Sequence, residues 1–329
     1  MHEVVATVWR NDVAESVHHG SVVGLAADGS IAFTVGQPHA LMFPRSSAKP
    51  LQGIGMVRNG LGLSDELLAL ACASHPGEAF HIEGVRRILA GAGLSPDDLQ
   101  CTPGLPMDEH SRLALGADAK PAPVYMNCSG KHAGMLATCV SNGWSTASYR
   151  EPAHPLQVAI RDTVAALAGE PVGAVGVDGC GAPLFGISLL GLARAFRQVA
   201  LGPAGSPEDT VRVAMNTYPE WVGGTGREVA RLMRALPGSV AKDGAEGVHA
   251  IGLPDGRAVA MKIADGAARA RSVVMVAALR RLGVTAPGLA GLADVPVLGH
   301  GEPVGAILPT DVVTGPGVAP GWTDQAMGS

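Results

Sequence analysis

A hydroxyl and an amine stand three residues apart in the segment 46–49, which reads Ser-Ser-Ala-Lys. Pro44 before it and Pro50 after it predict a helix that starts near Ser46, with Ser46 and Lys49 one turn apart on the same face. A neutral Lys49 amine can take the proton of the Ser46 hydroxyl, and a helix N-terminus favours the negative charge that develops. The pattern predicts a serine nucleophile with a lysine base. The alternative is a capping serine beside a solvated lysine.

Lysine is scarce in this chain, because arginine supplies 19 of the 24 basic residues and only five lysines remain. An arginine cannot become neutral at physiological pH, whereas a buried lysine can. Each lysine is therefore a candidate for amine chemistry. Lys120 is the exception, because it stands in an Ala-Lys-Pro loop.

A second lysine and a second serine are candidates for the same site. The strand predicted over 258–263 places Lys262 on a face otherwise lined by alanines, which leaves room for another group. Lys262 with Gly266 is a loose version of the Lys-Thr-Gly element that accompanies Ser-x-x-Lys in penicillin-recognising enzymes. Ser74, at a predicted helix end, is the candidate middle element. An ordinary helix-terminating serine is the alternative.

Two segments bring a cysteine beside other reactive groups. Cys128 and Lys131 open a predicted helix, and Asp178 and Cys180 follow a short apolar strand. One cysteine per segment is a weaker metal pattern than a paired Cys-x-x-Cys, so the pattern alone favours buried structural cysteines over a metal site. The segment 223–227 lacks the lysine of a phosphate-binding loop, and a tight turn is predicted there.

Strands are predicted at both ends of the chain. A meander over 4–9, 21–26 and 30–35 has Asp28-Gly29 as a hairpin turn, a second hairpin joins 248–253 to 258–263, and a last strand covers 302–308. Helices are predicted between and beside them: after Ser46 and over 65–73, 79–92, 130–141, 155–168, 184–200, 207–218, 226–235 and 267–282.

This order of elements predicts an α+β fold, with a mostly antiparallel sheet built from N- and C-terminal strands and an inserted helical lobe. Residues 1–310 are expected to form a single catalytic domain of two packed lobes. From 311 to 329 the chain turns Pro/Gly-rich and loses periodicity, which predicts a loose tail.

Composition excludes several classes of partner. The formal net charge is −5 and no basic stretch occurs, so neither nucleic acid nor a membrane surface is an expected partner. No apolar signal segment is found near the N-terminus, and the longest apolar region, 171–192, is interrupted by Asp178, Pro183 and glycines. Five cysteines without disulfide-like spacing predict reduced thiols and a cytoplasmic protein.

Taken in order, five segments resemble the asparaginase II family, the rhizobial-type or class 3 L-asparaginases. They are PRSSAKP at 44–50, ASH at 73–75, NCSGKH at 127–132, VDGCG at 177–181 and KIADG at 262–266. The resemblance extends to about residue 310 and does not cover the tail. It implies a fold similar to serine β-lactamases and glutaminases, and a homodimer.

The resemblance also implies roles for named residues. The catalytic residues would form two Ser-Lys tandems, Ser46 with Lys49 and Ser74 with Lys262. Zinc would be held by Cys128, Lys131 and Cys180, and the substrate pocket would be lined by Arg45, His132 and Asp178.

The expected activity is cleavage of the side-chain amide of L-asparagine to aspartate and ammonia, through an acyl group on serine. Two alternatives stay open. One is a glutaminase or another serine amidase of this scaffold, because one methylene is worth only about 1–3 kcal/mol of discrimination. The other is a catalytically idle amino-acid sensor that retains the pocket.

Overall fold

A computed structural model describes residues 1–316 of the chain. The strands in this part are β1 (Glu3–Arg10), β2 (Val13–Leu25), β3 (Ile31–Val35), β4 (Leu41–Met42), β5 (Ala174–Val177), β6 (Pro183–Ser188), β7 (Val240–Gly244), β8 (Val248–Gly252), β9 (Ala258–Ile263), β10 (Pro296–Gly299) and β11 (Glu302–Pro309). The α-helices are α1 (Lys49–Arg58), α2 (Asp65–Ala71), α3 (Ala79–Gly91), α4 (Glu109–Ala114), α5 (Ser129–Ser141), α6 (Pro155–Ala168), α7 (Leu189–Ala200), α8 (Pro207–Thr217), α9 (Pro219–Gly223), α10 (Glu228–Ala235), α11 (Arg271–Arg281), α12 (Ala290–Ala293) and α13 (Asp311–Thr314).

The larger sheet has eight strands, in the order β10-β11-β1-β2-β9-β8-β7, with β3 also pairing with β2. Its pairings are antiparallel, and the first strands of the chain lie between strands from its C-terminal part. Most helices lie between β4 and β7 in the sequence. The predicted α+β fold, with an antiparallel sheet built from both ends, is confirmed.

The N-terminal meander is confirmed, but β2 begins at Val13, well before the predicted strand at 21–26. The first residues of β2 are mostly exposed, so they lack the apolar alternation from which a strand is recognised. The hairpin at Asp28-Gly29 forms as expected. Asp28 Oδ1 accepts hydrogen bonds from the N–H and hydroxyl of Ser30, and Gly29 has a φ of +89°.

The predicted helix at 184–200 is wrong in its first turn. Residues Pro183–Ser188 form β6, the central strand of a second, three-stranded sheet in the order β4-β6-β5. The helix α7 starts only at Leu189, where the Ser188 hydroxyl accepts the Gly191 N–H at 2.9 Å. A short continuous apolar run does not distinguish a buried strand from a buried helix, which explains the error. The other predicted helices are present, with ends that differ by about a turn or less.

The alanine-lined face of β9 is covered by α7. Ala258 on β9 pairs with Gly252 on β8, and directly paired residues share a face. A Cβ at Gly252 would lie only 2.1 Å from the carbonyl oxygen of Phe196 in α7. The small residues of this face therefore accommodate a helix, and the space expected there for another group is filled.

Part of the predicted loose tail is ordered. The hydroxyl of Thr310 donates to the Val4 carbonyl, and α13 follows with Val313 fully buried. The prediction of a loose tail from residue 311 is therefore wrong for this first turn, because Val313 packs into the core. Residues 317–329 lie outside the described part of the chain.

No helix within residues 1–316 is both long and apolar enough to cross a membrane.

Candidate active site

Ser46 lies on a short 3-10 helix, Arg45–Ala48, that runs directly into α1. Pro50 occupies the first turn of α1, where its missing N–H leaves no hydrogen bond unmade. The N–H of Lys49 donates to the Ser46 carbonyl, and 3-10 geometry aligns residues three apart. The predicted helix start near Ser46 is confirmed, and Ser46 and Lys49 lie along one edge of it.

The Lys49 amine is buried and contacts the second candidate serine. It donates hydrogen bonds to the carbonyl oxygen of Ala73 and to Ser74 Oγ, the latter at 2.9 Å. Ser74 is held in place by its own N–H, which donates to the Val222 carbonyl at 3.0 Å. Within the described residues the Ser46 hydroxyl makes no hydrogen bond, and Ser46 is partly exposed. Its hydroxyl is therefore free to meet a ligand.

The expected pairing of Ser74 with Lys262 is not found. The Lys262 amine donates instead to the carbonyl oxygens of Glu246, at 2.5 Å, and Ile263, at 2.6 Å. Burial lowers the pKa of Lys262, and the nearby Glu246 and Asp265 carboxylates oppose this shift. The half-buried Lys262 amine thus lies at the turn between β7 and β8 and the end of β9, not beside Ser74.

Another lysine, Lys242 on β7, lies beside the Ser46 turn and is fully buried. The Ser47 hydroxyl donates to the Lys242 carbonyl at 3.1 Å. A Cβ at Gly244 would lie 2.6 Å from the Pro44 carbonyl oxygen, so β7 runs directly against the 3-10 helix. The Lys242 amine donates to the Asp243 carbonyl at 2.9 Å and to Asp243 Oδ1 at 2.5 Å.

Two observations connect Lys242 with Lys49. Burial lowers the pKa of Lys242, Asp243 opposes the shift, and the Lys49 charge lowers it further. Burial raises the pKa of the Cys72 thiol to about 12, and both amines counteract that shift. Cys72 therefore lies near both lysines, two residues before Ser74.

Lys242 is not among the site residues predicted from the sequence, although the sequence around it carries a signal. Lys242-Asp243-Gly244 keeps the lysine-to-glycine spacing of a Lys-Thr-Gly element on a strand, whereas Lys262 and Gly266 are four residues apart.

The predicted metal ligands converge in the interior. Cys128 is the N-cap of α5, Lys131 lies in its first turn, and Cys180 lies in the loop between β5 and β6. All three are buried, and Lys131 Nζ lies 3.3 Å from Cys180 Sγ. Within residues 1–316 no group of three or more His, Cys, Asp or Glu side chains has a metal-binding arrangement. The cluster contributes only two residues of those types, because its third member is a lysine.

The charges of this cluster favour one thiolate. A hydrogen bond from the Cys180 thiol, together with the Lys49 and Lys131 amines, lowers the pKa of Cys128 well below its usual value. The same hydrogen bond and burial raise the pKa of Cys180. Burial alone would lower the pKa of Lys131, but Cys180, Cys128 and Asp178 raise it above its ordinary value. The two sulfurs and the Lys131 amine thus lie close enough to shift one another's pKa values.

A histidine ties the serine segment to this cluster. The His75 N–H donates to the Asn127 carbonyl at 3.1 Å, and His75 Nε2 lies 2.9 Å from Ser129 Oγ. The chain on both sides of Ser74 is thereby fixed to the start of α5. The Ser-Lys pair and the cysteine cluster are therefore parts of one site.

Arg45 and Asp178, both expected to line the substrate pocket, bind each other. Arg45 Nε lies 3.0 Å from Asp178 Oδ1, and Arg45 Nη1 lies 3.6 Å from Glu246 Oε1. Burial alone would raise the pKa of Asp178, but Lys131 and Arg45 lower it, so the carboxylate is ionised. Arg45 and Glu246 have φ values of +52° and +60°, a strained region for residues with a side chain.

His132 is fully buried, and its Nδ1 lies 2.6 Å from the Tyr149 hydroxyl. Burial lowers the pKa of His132 to about 4, so the ring is neutral. Its Nε2 is buried and has no partner among the described residues. His132 therefore lies in the interior, next to Cys180, rather than on an open surface.

An open cavity of about 450 Å³ adjoins the Ser46 turn. Its charged lining comes from Arg45, Glu246 and Lys262, and its apolar lining includes Phe43, Val177 and Leu184.

The sequence profile of the L-asparaginase II family matches residues 6–309, which include all five motif segments. The chain belongs to this family. The expected resemblance is confirmed, and membership of the L-asparaginase II family identifies the protein as an enzyme of the hydrolase class.

Solved structures similar to this L-asparaginase II family member share little sequence with it. One is a β-lactamase from Mycobacterium bovis, at 16% identity over 75% of this chain and 88% of that chain, with a TM-score of 0.40. Another is a putative β-lactamase from Bacteroides dorei, at 15% identity over 74% and 84%, with a TM-score of 0.42. A simvastatin synthase from Aspergillus terreus matches at 10% identity over 74% and 86%, with a TM-score of 0.33. No curated protein sequence matches the chain significantly.

Proposed function

We propose that this hydrolase cleaves the side-chain amide of L-asparagine to aspartate and ammonia, with Ser46 as nucleophile and Lys49 as base. The observation that carries the proposal is the contact between the buried Lys49 amine and Ser74, one 3-10 turn after the free Ser46 hydroxyl. In a chain of the L-asparaginase II family, this contact supports an acyl-transfer reaction in which Lys49 serves both Ser46 and Ser74.

The hydrogen bonds of Lys49 suit a base. A neutral amine has two hydrogens and one lone pair, and Ala73 and Ser74 accept the two hydrogens. The lone pair is then left to accept the proton of the Ser46 hydroxyl as its oxygen attacks the amide carbon. The proton passes from Lys49 through the Ser74 hydroxyl to the amide nitrogen, and the C–N bond breaks to release ammonia. Water then hydrolyses the ester on Ser46.

We assign the second lysine of the site to Lys242 in place of Lys262. Lys242 lies against the Ser46 turn, and both Lys242 and Lys49 lie near Cys72, two residues before Ser74. A buried cation there favours the negative charge that develops on the attacked amide oxygen. Lys262 lies at the cavity rim with its amine bound to backbone carbonyls, and it stays the alternative that mutation decides.

Arg45 and Asp178 carry the charges needed to bind the α-carboxylate and α-ammonium groups of an amino acid. An incoming carboxylate can bind Arg45 while its ammonium binds Asp178, which exchanges one ion pair for two. His132 is fully buried, and its Nε2 can orient only groups that reach the cysteine cluster. We therefore propose Arg45 and Asp178 as direct substrate ligands and His132 as a residue that supports the cluster.

We also propose that Cys128, Lys131 and Cys180 hold zinc. Two sulfurs and one nitrogen are donors that zinc accepts, and the low pKa of Cys128 provides a thiolate. Binding would require Lys131 to lose its proton. A zinc ion there would supply Lewis acidity or a fixed anchor to groups that reach it.

The test compares ammonia release from L-asparagine and L-glutamine side by side. The proposal expects asparagine to be the faster substrate. Equal rates would favour a broader serine amidase, and hydrolysis of a β-lactam alone would refute the substrate. Binding of asparagine without ammonia release would favour the idle sensor. The homodimer and the cytoplasmic location stay predictions, which sedimentation and fractionation can test.

A further inference from the structure

A row of titratable side chains extends from the Lys242 amine across the neighbouring elements. Asp243 Oδ1 accepts a hydrogen bond from the Lys242 amine, and Asp243 Oδ2 lies 3.2 Å from Arg271 Nη1. Arg271 Nη2 lies 3.0 Å from Glu228 Oε2, and Glu228 Oε1 lies 3.2 Å from His249 Nδ1. Lys242 and His249, at the two ends of the row, are both fully buried.

The row joins four elements: β7, α11, α10 and β8. Arg271 also donates to the carbonyl of Gly244 at 3.2 Å, the residue of β7 that lies against the Ser46 turn. Its side chain is only 13% exposed, so its charge is poorly screened by water. None of the proposed catalytic steps uses Arg271, Glu228 or His249.

The charges of the row are balanced. Burial alone would raise the pKa of Asp243, but Lys242 and Arg271 hold it well below its ordinary value. Burial likewise opposes ionisation of Glu228, and His249 and Arg271 lower its pKa. Both carboxylates are therefore ionised at neutral pH and face two cations, Lys242 and Arg271.

We propose that Arg271 and Glu228 are positioning residues for the reaction, which act through Asp243 to fix the place and the charge of the Lys242 amine. This inference rests on the role proposed above for Lys242. Without Arg271, Asp243 would be free to turn toward Lys242 alone. Without the Glu228 charge, Arg271 would be drawn more strongly toward Asp243.

These two changes act on Lys242 in opposite directions. The titratable groups around its amine are Asp243 on its own strand, Lys49 on α1, Arg271 on α11 and the Cys72 thiol at the end of α2. Loss of the Arg271 charge removes a repulsion and leaves Asp243 less neutralised, so the pKa of Lys242 rises. Loss of the Glu228 charge leaves Arg271 less neutralised, so the pKa of Lys242 falls.

The experiment titrates the lysine side chains by NMR. With lysine labelled by ¹³C at Cε, the five lysines give five signals, and Lys242→Met identifies the one from Lys242. Arg271→Met is expected to raise the titration midpoint of Lys242 by about one pH unit, and Glu228→Gln to lower it by about half a unit. Arg271→Lys keeps the positive charge, so the titration midpoint of Lys242 in this variant should lie close to its wild-type value.

A second ion pair on α9 and α10 gives matched controls. Arg234 and Glu220 form a close, more exposed pair, and Arg234→Met and Glu220→Gln should leave the Lys242 midpoint unchanged. kcat/KM is also measured against pH. The part of this profile that depends on the protonation of Lys242 should shift in the Arg271 and Glu228 variants in the same directions as the NMR midpoints.

Shifts in one direction for both variants, or none, would overturn the inference, because a purely structural ion pair changes only stability. If Arg271→Met does not fold, Glu228→Gln and Arg271→Lys still decide the result. Full activity of Lys242→Met would refute the proposed role of Lys242 instead, and the NMR midpoints would separate these two failures.

Discussion

Lys49 Nζ lies 2.9 Å from Ser74 Oγ, and Lys49 itself stands one 3-10 turn after Ser46. The buried Lys49 amine thus reaches Ser74, which is 28 positions from Ser46 in the sequence. Ser46 is partly exposed and its hydroxyl makes no hydrogen bond among the described residues, whereas Ser74 already shares one with the amine. Under the proposed mechanism Ser46 attacks and Lys49 takes its proton, so loss of either residue should stop the reaction.

Replacement of Lys49 by Arg should remove nearly all kcat, because a guanidinium keeps its charge but cannot give up a proton. Ser46→Ala should be as damaging. The double variant should be little worse than either single one, because residues that act as a unit are not additive. Steady-state kinetics on asparagine gives the measurement.

The control for this series is Lys120→Arg, at an exposed loop position, which should keep full activity. Circular dichroism must show that each variant is folded, since Lys49 is buried. A folded Lys49→Arg protein with more than about a tenth of wild-type kcat would lose only about 1.4 kcal/mol of transition-state stabilisation, which is too little for the removal of a base.

Zinc content is expected to depend on the two cysteines of the cluster. Protein purified without added metal should contain about one zinc per chain, and Cys128→Ala with Cys180→Ala should abolish it, because only one donor remains. Cys139→Ala is the matched control, since this buried thiol also lies on α5 and burial raises its pKa to about 11. Zinc-free wild-type protein, or a double variant that keeps its zinc, would refute the assignment.

Stability should fall as the pH falls from about 6.5 toward 4. Burial lowers the pKa of His81 to about 4, and its ring stacks on His75, whose pKa burial also lowers. Between these pH values the unfolded chain binds a proton at His81 that the folded chain does not, so the free energy of unfolding decreases as the pH drops. The loss from His81 alone amounts to about 3 kcal/mol.

Denaturant unfolding at several pH values measures this slope. His81→Gln should make the slope shallower between pH 6.5 and 4, with His75 and His132 still contributing, whereas His19→Gln, at an exposed position, should leave it unchanged. An unaltered slope in the His81 variant would show that other groups cause the acid sensitivity.

The sequence predicted the parts of the site that are local, and failed where contacts are long-range. The turn at Ser46 follows from the prolines that flank it, and the α5 start that carries Cys128 and Lys131 follows from helical periodicity. The partner of Ser74 does not follow from either pattern, because it depends on how α2 packs against α1. The alanine-lined face of its strand predicts Lys262 as the partner of Ser74, but α7 occupies that face.

The last prediction decides between the two strand lysines. Lys242→Met should lower kcat at least 100-fold, because a buried cation that faces developing charge is worth about 3 kcal/mol or more. Lys262→Met should keep kcat within about tenfold of wild type, because its amine only binds the carbonyls of Glu246 and Ile263 at the cavity rim. Methionine matches lysine in length and leaves little void at either position.

A third variant separates charge from proton transfer. Lys242→Arg should retain much of the activity if the amine serves as a fixed cation, and lose it if the amine must exchange a proton. KM for asparagine should rise more in Lys262→Met than in Lys242→Met, since Lys262 lines the open cavity together with Arg45, the proposed ligand of the substrate carboxylate. A larger loss of kcat in Lys262→Met than in Lys242→Met, with both proteins folded, would restore Lys262 as the partner of Ser74. Lys242 would then be a structural lysine that neutralises Asp243.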